Sequence, residues 1–161
     1  MREPPKKYLV DFMTERKTAE IIVFSVISDL DNEGLPTGET ERAETRVRGD
    51  IQELSQGEYQ LTFSESGEGG EVASEITVSC GKMRLKKCGA VVSDMSFSKG
   101  EEYEALYSIP PYKFKMTVKT KRLDISASAV HADVRLVYDM EIGGAKRQVN
   151  MRITARAEAI N

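Results

Sequence analysis

Tryptophan is absent from this chain, histidine occurs once, and cysteine only twice. A single histidine, His131, has no second histidine or cysteine at ligand spacing, so no histidine-based metal site can be assembled. Two cysteines in 161 residues do not make a disulfide scaffold. The run Cys80-Gly81-Lys82-Met83 reads as a tight hairpin that pairs Cys80 with Met83 and leaves Cys88 five residues further along. A disulfide needs Cα atoms within about 7 Å, so the spacing predicts free thiols and a reducing, cytoplasmic setting. No apolar run approaches the roughly 20 residues that cross a bilayer as a helix. Residues 1–7 carry charge with no apolar stretch after them, which predicts no signal peptide. Helical periodicity is missing between Gly57 and Ala157, and so is any nucleophile elbow or calcium-loop spacing.

What is present is strand after strand. Segments of about 7–11 residues alternate apolar and polar positions, with turn residues at nearly every junction. Glu20 to Leu30 is the first, with Ile21, Val23 and Ile27 on one face and Ile22, Phe24 and Val26 on the other. Two apolar faces predict cover on both sides, by the core and by an N-terminal arm or a second subunit. A polar loop, Asp31 to Gly38, leads to a long strand from Glu41 to Leu54, where Gly49 marks a bulge or a bend. Then come Glu58–Glu65, Val72–Cys80, Met83–Lys87, Ala90–Phe97 and Tyr103–Ser108. Pro110-Pro111 interrupts, because proline donates no ladder hydrogen bond. Tyr112–Thr120, Leu123–Ala129, Asp133–Ile142 and Lys146–Ala157 follow, the last two joined by the primed-turn signal Gly143-Gly144. So many hairpin-linked strands manage their edges best by closing up. The pattern predicts one all-β domain over residues 19–161, an antiparallel closed or nearly closed barrel of about 8–11 strands. Residues 1–18 are expected as an extension, an arm or a short helix around Tyr8–Met13.

Net charge is −3, unevenly spread. From Asp31 to Glu75 twelve acids face three arginines, whereas Lys113 to Arg122 carries five bases and no acid. Regions of opposite sign could lie on opposite sides of the domain or neutralise each other across strands.

The run Cys88-Gly89-Ala90-Val91-Val92-Ser93-Asp94-Met95-Ser96-Phe97-Ser98-Lys99-Gly100, followed by Tyr107 and Pro110, resembles the YwiB-like family of bacterial proteins of unknown function. That family carries a Gly-Ala-Val, Ser, Met, Phe, Gly series before a Tyr-x-Thr-Pro-x-Gly element. Ile109 here stands where the family often has threonine, and Tyr112 where it often has glycine. The resemblance covers roughly Glu20 to Ala157. It implies a calycin-like barrel, similar in shape to lipocalins and fatty-acid-binding proteins, and it implies no activity.

The strongest candidate site is the barrel interior. Its inward candidates are Tyr59, Phe63, Ser93, Met95, Phe97, Tyr107, Met116 and Tyr138, with Met140 and Met151. Aromatic and methionine side chains with a few hydroxyls suit an apolar ligand with a polar end, and the same side chains would equally serve as plain core. Lys113, Lys115, Lys119 and Lys121 lie at phosphate-like spacing, but the chain is acidic and no outward aromatic interleaves them, which argues against nucleic acid. His131 would act as a base only if Asp133 or Asp124 oriented it. Cys88 beside Lys86 and Lys87 reads as a reactive thiol or a packing residue. The expectation is a non-enzymatic barrel without cofactor or metal that binds a small apolar or amphipathic ligand. The alternative is an interaction or homodimer module using the Ile21–Ile27 strand.

Overall fold

The computed structural model describes residues 15–159. Ten antiparallel strands follow in chain order: β1 (Arg16–Leu30), β2 (Pro36–Ser55), β3 (Glu58–Gly67), β4 (Gly70–Ser79), β5 (Lys82–Gly89), β6 (Val92–Ser98), β7 (Glu102–Ile109), β8 (Tyr112–Ala127), β9 (His131–Ile142) and β10 (Ala145–Ala157). Each pairs with the next, and β10 pairs with β1 from Ala19–Ala157 to Leu30–Lys146, which closes the barrel. Closure removes the free edges that an open sheet of ten strands would present. Gly143 and Gly144 both have positive φ, as a two-residue primed turn between β9 and β10 requires.

Inward positions recur every second residue, as the pleat dictates. One wall contributes Leu61, Ile76, Leu85 and Met95, which stand side by side across β3 to β6. The other contributes Ile21, Ile153, Val134 and Leu136 from β1, β10 and β9, all fully buried. Phe97 from the first wall meets Tyr138 from the second, with ring centroids 4.9 Å apart and planes tilted by 49°. Such a pair adds about 0.5–1.5 kcal/mol beyond the area it buries. The middle of the barrel is therefore solid.

The strand boundaries differ from expectation in instructive places. Tyr112–Thr120 and Leu123–Ala129 form one strand, β8, with a bulge between Thr120 and Arg122. The extra residue, Lys121, switches the inward parity from Met116, Val118 and Thr120 to Leu123 and Ile125. Strand β1 starts at Arg16, inside the segment expected as an extension, because Arg16, Lys17 and Thr18 pair with Gln52, Ile51 and Asp50. The helical turns expected around Tyr8–Met13 lie outside the described residues. Strand β2 starts at Pro36, so the expected loop shrinks to a turn in which Asp31 Oδ1 accepts from the Glu33 and Leu35 amides, each at 2.9 Å. In the β4–β5 hairpin Ser79 pairs with Lys82, not Cys80 with Met83, and Cys80-Gly81 makes the turn. Both thiols are free and exposed.

The two-faced strand β1 is resolved simply. Ile21, Val23 and Ile27 face the core. On the outer face Ile22 is flanked in register by Arg46 and Thr154, Phe24 by Glu44 and Arg152, and Val26 by Arg42 and Asn150. The flanking arginine stems can shield a stripe one strand wide while their charged ends stay in water.

Candidate functional site

Two residues beyond the solid floor, the inner wall changes character. The register places Phe63 beside Ser74, Ser74 beside Lys87, Lys87 beside Ser93, Ser93 beside Tyr107, and Tyr107 beside Phe114. Ser74 and Ser93 are buried and Lys87 is half-buried. An open cleft of about 1010 Å³ runs along this row; Gly49, Phe63, Ser74, Lys87, Ser93 and Ala105 line it from the inward face, and outward-facing residues of the same strands, Asp50, Glu75, Lys86, Asp94 and Glu104 among them, line the rest.

Two backbone features make the space. At Gly49 strand β3 passes so close that an added Cβ would stand 2.2 Å from the Thr62 carbonyl oxygen and 2.9 Å from Phe63 Cβ. Glycine is required there for the close approach, and beyond Asp50–Thr62 strands β2 and β3 no longer pair. The second feature is the β6–β7 seam. These strands pair only at Val92–Ser108 and Ser93–Tyr107, whereas β7 pairs with β8 along its whole length. The wall opens below those two pairs. Outside it, Arg84 on β5 donates to Asp94 on β6 at 2.8 and 2.6 Å, and these bonds hold the Asp94 carboxyl below its usual range.

The β7–β8 hairpin turns at Pro110-Pro111, whose peptide bond is cis. Its inward-parity residues Ile109, Tyr112 and Phe114 are 46%, 66% and 42% exposed. They form an apolar lip that continues the row from Tyr107.

Two buried hydroxyls, Ser93 Oγ and Thr120 Oγ1, have no hydrogen-bond partner among the described residues. An unmet buried hydroxyl costs about 1–3 kcal/mol. Ser93 is among the residues that line the cleft, with its Oγ closed off from solvent; the Thr120 hydroxyl belongs to the bulge of β8. Burial, with a smaller contribution from Tyr107, pushes the Tyr138 phenol up to about 12.

The residues singled out in the sequence are divided by the structure. Phe63 and Ser93 line the cleft, and Tyr107 pairs with Ser93. Met95, Phe97, Met116 and Tyr138 are buried in the core, where they fill space rather than border it. Tyr59 stands elsewhere, beside Val78, Leu123 and Ile125 in a shallow depression. Met140 and Met151 are half-buried against the core. The residue missed was Lys87. Its signal was plain in the alternation of β5: Met83 and Leu85 face inward, so Lys87 must as well.

Other candidates stay apart. His131 is exposed, and the neighbouring Asp133 is engaged by Arg152 at 3.3 and 3.0 Å. Two of the β8 lysines meet acids: Lys119 stands between Glu102 and Asp139, and Lys121 pairs with Asp139 at 3.0 Å, while Lys113 and Lys115 stand opposite Ser108 and Leu106. Among the described residues no three His, Cys, Asp or Glu side chains gather as metal ligands. No described helix is long and apolar enough to cross a membrane.

No curated protein matches the sequence. The crystal structure of the YwiB protein from Bacillus subtilis superposes with a TM-score of 0.80 at 24% identity, covering 94% of this chain and 99% of that one. That likeness shows the shared barrel. A structure of unknown function from Bacteroides ovatus is 10% identical, with a TM-score of 0.35 over 89% of this chain and 41% of that one, too distant to argue from. A family model described as a domain of unknown function (DUF1934) matches residues 30–153. The chain therefore belongs to the DUF1934 family, the YwiB-like barrels of unknown function.

Proposed function

We propose that this barrel is a non-enzymatic binder of a small amphipathic ligand, held in the open cleft above the packed floor. The observation that carries the reading is the buried, unpartnered hydroxyl of Ser93, a residue that lines the cleft together with Phe63 and Ala105. A polar group placed beside an apolar wall is the usual make-up of a small-molecule site. The ligand-contacting residues in this reading are Phe63, Ser93 and Tyr107, with Met95, Phe97, Met116 and Tyr138 forming the floor below and Tyr59 outside the site. Two free thiols at Cys80 and Cys88 support a cytoplasmic setting.

Native mass spectrometry of protein purified gently from cells tests this. The expected result is a co-purifying small-molecule adduct that is lost in a Ser93→Tyr variant, whose ring occupies the cleft. A wild type that carries no adduct, and takes up none after exposure to a total lipid and metabolite extract, contradicts it.

A second reading, a homodimer through β1, is favoured by one observation. Phe24 is 38% exposed and borders, with Ile22, Arg152 and Thr154, a shallow groove of about 320 Å³. Only Ile22, Phe24 and Val26 of the Ile21–Ile27 strand are available for such a contact. Light scattering decides it: a dimer abolished by Ile22→Lys with Phe24→Lys supports it, and a monomer at high concentration removes it.

A further inference from the structure

The geometry points to Lys87 as the anchor for an anionic headgroup, so that the ligand is a single-chain amphiphile ending in a carboxylate or phosphate monoester. The inference rests on the binding reading above and names the chemical class of its ligand.

Lys87 is a charge in an unusual place. Lysine is among the residues least often turned toward a barrel interior, because its ammonium loses hydration there. Lys87 nevertheless stands on the inner face between Ser74 and Ser93, both buried. Among the described residues it has no ion pair and no hydrogen bond. Four acids border the cleft, Asp50, Glu75, Asp94 and Glu104, all at outward-facing positions of their strands. Glu75 accepts from Gln60 Nε2 at 2.5 Å, and Asp94 is held by Arg84. Glu65, one inward row further out, accepts from Thr45 Oγ1 at 3.5 Å. A half-buried cation without a counter-charge is relieved by an anion from outside.

The second observation is independent of charge. Ser93, adjacent to Lys87 in register and 3% exposed, keeps an unpartnered hydroxyl that can donate to an oxygen of the same headgroup. An ammonium and a hydroxyl at adjacent inward positions favour an oxyanion over an alcohol or a cation. The third is the surroundings. Phe63 and Ala105 line the cleft, and Tyr107, Ile109 and Phe114 carry the same inward face of β7 and β8 on toward the rim as apolar surface for a chain. The floor row of Leu61, Ile76, Leu85 and Met95 stops that chain from passing deeper, so it must run toward the lip and the β6–β7 seam.

The test is isothermal titration of the full-length protein, stripped of bound lipid, with decanoate, decyl phosphate, decanol and decyltrimethylammonium. The expected result is that at least one of the two anions binds about tenfold or more tightly than decanol, the effect of one charge-assisted hydrogen bond, with the cation weakest. Which anion binds more tightly tells the two headgroup sources apart. Lys87→Met should bring the anions down to the level of decanol while leaving decanol itself unchanged. Lys87→Arg should retain the preference. Unchanged circular dichroism of both variants excludes misfolding as the cause. Equal binding of all four probes, or an anion preference that survives Lys87→Met, overturns the headgroup anchor and leaves the cleft reading standing. Failure of every probe to bind overturns both.

Discussion

Adjacent inner rows of the same four strands teach the most about this barrel. On the floor Leu61, Ile76, Leu85 and Met95 sit side by side, between 1% and 6% exposed. Two residues along, the same strands present Phe63, Ser74, Lys87 and Ser93. The ladder from β3 to β6 is equally regular in both rows, so the pairing of these four strands does not make the difference. Side-chain chemistry changes at one level on three neighbouring strands at once. A protein that needed only a stable core would continue the apolar alternation outward. Here it stops where β2 and β3 part at Gly49 and where β6 and β7 separate, and the space so created is bordered on its inward face by Ser74, Lys87 and Ser93.

The two rows should respond differently to substitution. The largest effect is expected from the floor. Ile76→Ala should cost about 2–5 kcal/mol in chemical denaturation, since the lost methyl groups leave a cavity among fully buried neighbours. Ser74→Ala, in the next row of the same strand, should cost less than about 1 kcal/mol. Equal losses at the two positions would show that the upper row is core as well.

Next comes alkaline pH. The Tyr138 phenol stands at about 12 in the folded barrel against an ordinary 10.0, so the folded state holds its proton more firmly than the unfolded chain. Its contribution is fully present below pH about 10 and is lost as pH rises toward 12. The loss should be about 2–3 kcal/mol in urea midpoints across that window, and Tyr138→Phe should remove it. With six tyrosines and no tryptophan, phenolate absorbance follows the titration without interference. Ionisation of Tyr138 near the ordinary 10.0 would mean that water reaches the floor.

Ser93→Ala should move stability the other way. Removing an unmet buried hydroxyl should raise it by about 1 kcal/mol while weakening ligand binding. Gain in stability with loss of binding separates a site residue from a packing residue. The smallest effect is expected outside the barrel. Asp94→Asn breaks an ion pair exposed to solvent and should cost no more than about 1 kcal/mol, with the loss shrinking further in salt.

Much of this was legible in the sequence because a barrel strand announces its inward face by period-two alternation. The inward sets of β9 and β10 follow directly from Val134–Leu136–Tyr138 and Val149–Met151–Ile153. The bulge in β8 was harder, since one extra residue, Lys121, resets the parity and looks like a strand break. The early starts of β1 and β2 were hidden for a different reason. Their end segments, around Arg16 and around Glu39, are polar on both faces, so hydrophobic pattern cannot reveal them. The site was legible only in part. Apolar residues such as Met95 and Phe97 look the same in sequence whether they line a cavity or fill it, and only the approach of opposite walls decides. Lys87 was readable in principle, because a charge in the inward register of a core strand is the exception that marks a change of environment.

A crystal structure of the protein with decanoate bound tests the central claim most directly, that a solid floor supports an open, ligand-accepting mouth. The account predicts the carboxylate within hydrogen-bond distance of Lys87 Nζ and Ser93 Oγ, the chain against Phe63 and the lip, and the floor side chains unmoved. A chain threaded between Leu61, Ile76 and Met95, or bound only on the outer face beside Phe24, would contradict it.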